Sequence, residues 1–383
     1  MKKIKVLRII ARLNIGGPAI HTVLLTEGLD KNRFESLLVC GNVSKDEGDM
    51  LYFAKEKNVV PYFILELGRE LNFWDDIVAF IKVYNVIRHE YPDIIHTHTA
   101  KAGALGRFAG IAYRFIHPFG KRIAFVHTFH GHVFHGYFNS FKTKLFIFIE
   151  RTLAFFTTKI VTVSESVKDE ILRLRICKAK KIEIISLGFE LDKFLNIKEC
   201  NSDIVNIGIV GRLVPIKNHR LFLDSTAEVI KNNSQLKVKC KIIGDGELRQ
   251  ELESYVDALG IRAQVYFLGW VKDLVGVYSD LDIVALTSIN EGTPVSLIEA
   301  MASARAVVAT DVGGVRDLLS QERGVIVKAG DLADFTKALI LLIQDSQLRE
   351  KLGFNARNFV KVKFTKTRLI KDIENLYERI CAP

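Results

Sequence analysis

The chain has 383 residues, of which 49% are hydrophobic and 26% are charged, with only 7 prolines. This composition is typical of globular proteins and excludes long disordered tracts, and the length predicts two domains. The whole formal net charge of +10 falls in residues 1–187, which hold 28 Lys and Arg against 18 Asp and Glu. A basic half suits an anionic partner such as phospholipid headgroups or a lipid-linked phosphate, with a merely soluble basic surface as the alternative.

The cysteines and the apolar segments indicate a cytoplasmic protein. Five cysteines lie far apart with no C-x2-C spacing, which argues against disulfide frameworks and zinc sites. Arg8 and Arg12 interrupt the apolar N-terminal segment, so we expect a first β-strand there and no signal peptide. The apolar stretch 145–156 is broken by Glu150 and Arg151, so we expect no membrane-spanning helix.

Short β-rich runs alternate with amphipathic stretches along the chain, a pattern typical of parallel α/β layering. In the first half we predict strands at 6–10, 37–39, 94–96, 123–126 and 160–163. The pattern restarts after residue 203, with strands predicted at 204–210, 238–243, 265–268, 283–286, 307–309 and 325–327. The fold class is therefore α/β, with two doubly wound, Rossmann-like domains.

Three segments follow from this pattern. We predict an N-terminal domain at 1–187 and a C-terminal domain at 188–364, because 188–194 and 198–203 have turn and linker composition. Residues 365–383 contain an amphipathic helix whose apolar face must be covered, and we expect it to pack back toward the N-terminal domain. Ligands of such sheets bind at the carboxyl ends of the strands.

Glycine-rich turns follow the first predicted strand of each half. Gly16 and Gly17 precede Pro18, which suits a helix start, and form either a phosphate- or sugar-approach loop or a plain turn. Arg212 and Lys217 flank the next predicted helix start. Because helix N-termini favour anions and Arg binds phosphate bidentately, this pair predicts a diphosphate site, although ordinary surface cations would explain either residue alone.

Two carboxylates, Glu291 and Glu299, lie eight positions apart across a third predicted helix start. Pro294 fits the first turn of that helix. Free N–H groups there are expected to bind phosphate or sugar oxygens, namely those of Thr293, Val295 and Ser296. Glu299 is placed to accept two hydroxyl hydrogens from a ribose diol. The spacing alone is common, so the order of the motifs matters more.

That order is a GG turn, a His-rich segment, G-R-x4-K, G-D-G and E-G-x-P-x4-E. With this order of motifs the sequence resembles glycosyltransferase family 4 of the GT-B superfamily, and the resemblance covers essentially its whole length. Segments 96–103 and 128–134 are similar to bacterial members that build O-antigen, capsule or other polyprenyl-linked glycans. The resemblance implies an acceptor-binding N-terminal domain and a nucleotide-sugar-binding C-terminal domain facing a central cleft.

The resemblance also implies roles for individual residues. Glu291 and His130 would be catalytic, with Glu291 on the transferred sugar and His130 facing it from the N-terminal domain. The remaining positions would bind the donor: Gly16, Gly17, Arg212, Lys217, Gly244, Gly246, Gly269, Thr293, Pro294, Val295 and Glu299. Of these, Arg212 and Lys217 would bind the diphosphate and Glu299 the ribose. No cofactor is implied, because the nucleotide sugar is a co-substrate.

Two sequence features raise the question of a metal. Four histidines cluster at 127–135 after His96 and His98, but they alternate with apolar residues and no carboxylate or cysteine joins them, so we expect structural histidines. Asp280 and Asp282 form a D-x-D sequence at the start of a strand, opposite the functional end, and are expected to be structural. We therefore predict no metal.

The segment 113–151 mixes aromatic side chains with basic residues, among them Arg114, Lys121, Arg122, Lys142 and Lys144. Aromatic residues beside basic ones suit a membrane interface, so we expect peripheral binding to the inner face of the cytoplasmic membrane, although about half of the aromatics would serve equally well as core. No nucleic-acid-binding motif accompanies the charge.

The predicted function is retaining transfer of a hexose or N-acetylhexosamine from a nucleotide diphosphate sugar to a polyprenyl-linked or other glycan acceptor. UDP is favoured over GDP as the nucleotide. The alternatives are a sugar nucleotide 2-epimerase of similar fold and a non-catalytic subunit of a glycan assembly complex.

Overall fold

The computed structural model describes residues 2–43, 48–68, 72–131, 140–197, 204–233 and 235–382. The chain divides into two compact units. Unit 1 comprises Met1–Phe189 and Lys366–Pro383, and unit 2 comprises Glu190–Thr365. The chain thus leaves unit 1 two residues beyond the predicted boundary at 188, while the predicted linker at 198–203 lies outside the described residues.

Unit 1 is built on a parallel sheet with the strand order β3-β2-β1-β4-β5-β6-β7. Its strands are β1 (Ile4–Arg12), β2 (Phe34–Gly41), β3 (Tyr62–Phe63), β4 (Ile94–His98), β5 (Ala124–Phe129), β6 (Lys159–Thr162) and β7 (Ile182–Ile184). Its helices are α1 (Gly17–Gly28), α2 (Leu51–Glu56), α3 (Phe73–Glu90), α4 (Ala100–Ile116), α5 (Ser140–Phe156), α6 (Glu165–Arg173) and the C-terminal α15 (Lys366–Cys381).

Unit 2 repeats the architecture with the strand order β10-β9-β8-β11-β12-β13, again parallel throughout. Its strands are β8 (Val205–Val210), β9 (Val238–Ile243), β10 (Val265–Gly269), β11 (Ile283–Leu286), β12 (Ala306–Thr310) and β13 (Val325–Val327). Its helices are α7 (Asp192–Leu195), α8 (His219–Asn232), α9 (Arg249–Leu259), α10 (Leu274–Ser279), α11 (Val295–Ala302), α12 (Val315–Leu319), α13 (Leu332–Gln344) and α14 (Ser346–Lys363).

All eleven strands predicted from the sequence are present, and the two-domain α/β fold is confirmed. The central strands read as apolar runs because helices cover both faces of a parallel sheet. The two strands that the pattern missed are short and poorly buried: β3 has two exposed residues and β7 has three half-buried ones. Neither offers an apolar run long enough to recognise.

The C-terminal helix α15 is part of unit 1. Its apolar face, predicted from helical spacing, is buried through Leu369, Ile373, Leu376 and Tyr377, in one core cluster with Val6 of β1. Arg33 also forms ion pairs with Glu374 and Glu378 on this helix. Apolar burial and charge pairing together fix the helix against the sheet.

Two further sequence predictions concern membranes and thiols. Among the described residues no helix combines the length and the apolarity needed to cross a membrane. The four cysteines within the described ranges are unpaired, namely Cys40, Cys177, Cys240 and Cys381.

Candidate functional site

In unit 2 the strand order reverses between β8 and β11, and Arg212, Lys217 and Glu291 lie beyond the carboxyl ends of these two strands. Such a switch point is where open α/β sheets bind ligands. Lys217 ends the short helical turn Pro215–Lys217 after β8, and Glu291 lies in the loop after β11. Lys217 Nζ lies 2.5 Å from Glu291 Oε1, so residues 74 positions apart form one charged pair.

The pair is held by contacts around it. Ser288 Oγ donates a hydrogen bond to the same Glu291 oxygen at 2.6 Å, and the Ser288 carbonyl accepts one from Thr310 Oγ1 at 2.6 Å. Thr287 Oγ1 in turn donates to the Lys217 carbonyl at 3.0 Å. The Lys217 and Glu291 side chains are only 22% and 11% exposed. These contacts hold the lysine and the carboxylate in fixed positions at the switch point.

Glycines at the carboxyl ends of β9 and β10 let the neighbouring loops approach the loop after β8 closely. Gly244 has φ +131°, and a Cβ there would lie 2.0 Å from the carbonyl oxygen of Gly211, so a side chain is excluded. Gly269 has φ +67°, and its carbonyl accepts a hydrogen bond from Gly244 N–H at 2.9 Å. Gly246 is packed against the Leu213 carbonyl. These glycines are therefore required by the backbone itself, whatever they bind.

Helix α11 begins at Val295, with Pro294 preceding it as the N-cap residue. The prediction that Pro294 lies in the first turn was wrong by one residue. Its ψ of 117° is extended, so the chain enters the helix only at Val295. The first N–H groups of any helix lack intrahelical acceptors and favour anions. Thr293 precedes this end, and its buried Oγ1 has no hydrogen-bond partner among the described residues.

Glu299 lies inside α11 beside a buried tyrosine. Tyr278 donates its hydroxyl hydrogen toward Ser296 O at 3.0 Å and Glu299 Oε2 at 3.1 Å. Burial raises the pKa of Glu299 to about 7, and the Tyr278 hydrogen bond opposes part of that rise. Glu299 is therefore a carboxyl group whose charge changes near neutral pH. Arg212, the other predicted diphosphate ligand, is half-buried two residues beyond β8.

In unit 1 a second group of polar residues occupies the corresponding switch point, between β1 and β4. His98 ends β4, His130 follows β5 and His21 lies on α1. We call these three residues the histidine cluster. His98 Nδ1 is 3.0 Å from His130 Nε2, and the His21 ring centroid lies 5.6 Å and 5.0 Å from those of His98 and His130. Gly16 and Gly17 begin α1 at the same edge of the sheet.

The histidine cluster includes one residue that the sequence interpretation missed. His21 was overlooked because it resembles an ordinary core position of α1, and only its place after a switch-point strand could have singled it out. One nitrogen from each ring lies within 4.8 Å of the others, so the cluster is a group that can hold a metal ion. The predicted histidines at 132 and 135 lie outside the described residues.

Burial keeps these rings neutral. It lowers the pKa of His130 to about 3, and lowers those of His21 and His98 well below the usual value. Both ring nitrogens of His21, Nε2 of His98 and Nδ1 of His130 have no hydrogen-bond partner among the described residues. The cluster therefore presents uncharged imidazole nitrogens with unused hydrogen-bonding capacity.

The D-x-D sequence has structural contacts. Asp282 accepts a hydrogen bond from Asn206 N–H at 2.8 Å, and Asp280 forms an ion pair with Lys241. Both residues precede β11, whereas Glu291 follows it. The two aspartates thus lie at the opposite end of that strand from the charged pair.

The chain thus has two Rossmann-like units, each with polar residues at its switch point, and comparison with known proteins identifies the family. The model described as "Glycosyltransferase Family 4" matches residues 15–193, and that described as "Glycosyl transferases group 1" matches residues 193–359. Together they cover most of the chain. The protein belongs to glycosyltransferase family 4, and it is a glycosyltransferase.

Similar proteins agree in class. The chain is 26% identical over 367 residues to the Escherichia coli UDP-Gal:alpha-D-GlcNAc-diphosphoundecaprenol alpha-1,3-galactosyltransferase, covering 92% of this chain and 90% of that one. It is 27% identical to the Staphylococcus aureus capsular polysaccharide biosynthesis glycosyltransferase CapM, covering 88% of each. The solved structure of Anabaena Alr3699/HepE with UDP and glucose superposes with a TM-score of 0.80 at 19% identity, covering 97% of this chain and 99% of that one. The last likeness establishes the GT-B fold.

Proposed function

We propose that the protein is a retaining glycosyltransferase that moves a hexose or N-acetylhexosamine from a UDP-sugar to a polyprenyl-linked glycan. The observation that carries the proposal is the Lys217–Glu291 pair at the switch point of unit 2, beside the N-terminus of α11. Lys217, Arg212 and the α11 N–H groups bind the donor diphosphate, Glu291 binds the transferred sugar and Glu299 binds the ribose. Gly244, Gly246 and Gly269 line the nucleoside pocket.

The chemistry follows from these roles. As the bond from the sugar to the diphosphate breaks, negative charge grows on the leaving oxygen, where fixed cations and helix N–H dipoles stabilise it. The acceptor hydroxyl attacks from the side of the leaving group and gives its proton to the departing phosphate oxygen, so the anomeric configuration is retained. Removing one such donor of stabilisation costs roughly 3 kcal/mol, or about a hundredfold in rate.

Metal independence is part of the proposal, because Lys217 and Arg212 supply the positive charge at the diphosphate. We expect transfer to continue in EDTA at close to its full rate. Complete loss of activity that Mg²⁺ or Mn²⁺ restores would contradict this assignment and return attention to Asp280 and Asp282.

The choice of donor rests on relatives. The Escherichia coli relative is named for UDP-Gal, and the structural neighbour holds UDP. A thermal-shift panel of UDP- and GDP-sugars tests the choice, since a ligand at 100 times its dissociation constant adds about 2.7 kcal/mol to stability. Stabilisation by GDP-sugars alone would contradict UDP.

The acceptor side rests on relatives and on surface chemistry. Two relatives are named for diphosphate-linked undecaprenol substrates, among them the Campylobacter jejuni alpha-1,4-N-acetyl-D-galactosaminyltransferase, 34% identical over 174 residues that cover 43% of this chain and 48% of that one. Unit 1 has 32 Lys and Arg against 21 Asp and Glu, while unit 2 has 22 against 23. The basic unit is thus the one suited to an anionic membrane on the cytoplasmic side.

Two exposed parts of unit 1, the end of α4 with the loop after it and the helix α5, combine charge with exposed aromatic rings. We call their residues together the basic–aromatic patch: Arg114, Phe115, Phe119, Arg122, Lys144 and Phe148. Phe115, Phe119 and Phe148 are mostly or fully exposed, whereas Phe125 and Phe129 of the same segment are core residues. Arg114, Phe115 and Arg122 also line a cavity of about 390 Å³. Exposed rings beside cations suit an anionic bilayer surface.

The rival enzyme, a sugar nucleotide 2-epimerase, is distinguished by its dependence on acceptor. Incubation of a UDP-sugar without acceptor leaves the sugar unchanged if the protein is a transferase, whereas epimerised sugar would support the rival. A non-catalytic subunit would bind nucleotide or glycan but release no UDP with any donor and acceptor.

A further inference from the structure

A buried chain of hydrogen bonds runs from β1 through the C-terminal helix to the histidines of unit 1. Arg8 donates to the Tyr377 hydroxyl oxygen at 3.1 Å. Because a guanidinium only donates, that oxygen accepts, and the Tyr377 hydrogen is directed at His96 Nδ1, 2.6 Å away. Burial lowers the pKa of His96, so the neutral ring carries its hydrogen on Nε2 and donates it to Thr128 Oγ1 at 2.7 Å.

Tyr377 therefore fixes both the tautomer and the orientation of His96. That ring stacks on His98, with centroids 4.3 Å apart and planes 30° apart. His98 Nδ1 in turn forms a hydrogen bond with His130 Nε2 at 3.0 Å. His96, His98 and Tyr377 are all completely buried, so each ring has little freedom to turn. The orientation of His130 is thus set by residues that lie behind it.

We propose that His98 is the positioning residue of His130, that it occupies Nε2 and leaves Nδ1 as the atom available to a substrate, and that Tyr377 holds His98 in place through His96. This inference rests on the proposed glycosyl transfer and on the catalytic role that the family resemblance implies for His130. Nδ1 of His130 is buried and has no partner among the described residues, so its hydrogen-bonding capacity is unmet in the absence of a ligand.

The hydrogen-bonded arrangement is favoured over a metal site in the same cluster. His98 Nδ1 and His130 Nε2 are already bonded to each other, and the cluster contains three imidazoles with neither a carboxylate nor a thiolate among the described residues. Burial lowers the pKa of His21, with smaller contributions from the positive charges of Arg8 and Arg368, and the same surroundings oppose a bound cation. A cluster of neutral rings is compatible with those surroundings.

The test uses a matched pair of substitutions at His98 in the full-length protein. Asn places its amide near the position of Nδ1, whereas the longer Gln reaches the position of Nε2. We expect His98→Ala and His98→Gln to lower kcat by roughly a hundredfold, because a displacement of about 1 Å can cost that much, with the KM for the UDP-sugar little changed. His98→Asn should recover at least tenfold of the loss, and Tyr377→Phe should lose about tenfold in kcat.

The outcomes separate the inference from the function on which it rests. If His130→Ala abolishes transfer but His98→Ala keeps the wild-type kcat, the positioning role is wrong and the proposed function stands. If His130→Ala is fully active, the catalytic role implied for His130 is wrong and the inference fails with it, while the donor site proposed for unit 2 stands. Equal losses in His98→Asn and His98→Gln would also overturn the inference. The inference would also be overturned if the purified protein contained one equivalent of zinc and both His21→Ala and His98→Ala lost it. The histidine cluster would then be a metal site.

Discussion

Glu291 accepts hydrogen bonds from both Lys217 Nζ and Ser288 Oγ on its Oε1. In the proposed function a donor diphosphate competes with this carboxylate for the lysine. The pairing also means that substitution at Glu291 changes the surroundings of Lys217, so the replacement must keep a hydrogen-bond acceptor. Glutamine does so while removing the charge.

We predict that Glu291→Gln nearly abolishes transfer and leaves the dissociation constant for UDP within about tenfold of the wild-type value. The reason is that the proposed function assigns Glu291 to the sugar, whereas it leaves Lys217 for the diphosphate. Titration calorimetry with UDP and a transfer assay check the two parts. Transfer at close to the wild-type rate would show that Glu291 is not catalytic.

Glu299 gives a prediction about pH. Its pKa is raised to about 7, so the group is protonated below neutral pH and charged above it. Since the charged form accepts both ribose hydroxyl hydrogens, affinity for a UDP-sugar should rise with pH up to about 7 and level off beyond it, by up to tenfold per unit below the pKa. Calorimetry between pH 5.5 and 8.5 measures this.

The control for that series is Glu299→Gln, which has no titrating group at this position. Its affinity should be weaker than that of the wild type and flat with pH. A UDP-sugar is the appropriate probe because its diphosphate lacks the second phosphate ionisation near pH 6. A wild-type affinity that does not change with pH would remove Glu299 from the ribose site.

At the scale of single elements, α15 shows what could and could not be predicted from the sequence. Its apolar spacing predicted a helix with one buried face, and the structure has that face in the core of unit 1. The contact of Tyr377 with His96 was beyond prediction, because it joins residues 281 positions apart and depends on sheet order. Likewise Glu291 was singled out from a local motif, but its pairing with Lys217 required β8 and β11 to be neighbours.

The burial of α15 predicts a stability effect. Ile373 is completely buried, so Ile373→Ala should lower the free energy of unfolding of unit 1 by about 2–5 kcal/mol. Asn375→Ala on the exposed side of the same helix is the control and should change stability by no more than about 0.5 kcal/mol. Urea unfolding followed by circular dichroism compares them. Equal stability of the two variants would mean that α15 does not contribute to the core.

At the scale of the whole molecule, the net charge divides unequally between the two units, and the proposed function assigns donor and acceptor to different units. The donor residues proposed in unit 2 could be predicted from short sequence motifs. The basic–aromatic patch could be predicted only in part, because the sequence does not show which phenylalanines are buried and which are exposed. Burial of Phe125 and exposure of Phe119 became distinguishable only when α4 and β5 were placed.

The patch predicts a separation of donor and acceptor effects. Replacing Arg114, Arg122 and Lys144 with Gln should weaken binding to anionic liposomes and raise the KM for a polyprenyl-linked acceptor, with the UDP-sugar KM little changed. Each cation near the surface contributes about 1 kcal/mol at low screening. Sedimentation with liposomes at ~0.1 M salt and steady-state kinetics measure the two effects.

A variant of equal charge change on unit 2 serves as the control. Lys231, Lys237 and Arg262 are exposed there, and replacing them with Gln should leave liposome binding unchanged. If the unit 1 variant sediments as fully as the wild-type protein, the basic half is a solubility feature and the acceptor need not be membrane-bound.

The most direct test of the account is the anomeric configuration of the product. The protein is incubated in EDTA with its UDP-sugar and a polyprenyl-diphosphate-linked acceptor, and the new linkage is assigned by NMR from its anomeric coupling constant. The account predicts one UDP released per sugar transferred and a linkage with the same anomeric configuration as the donor. An inverted linkage, or UDP release without a lengthened glycan, would contradict it.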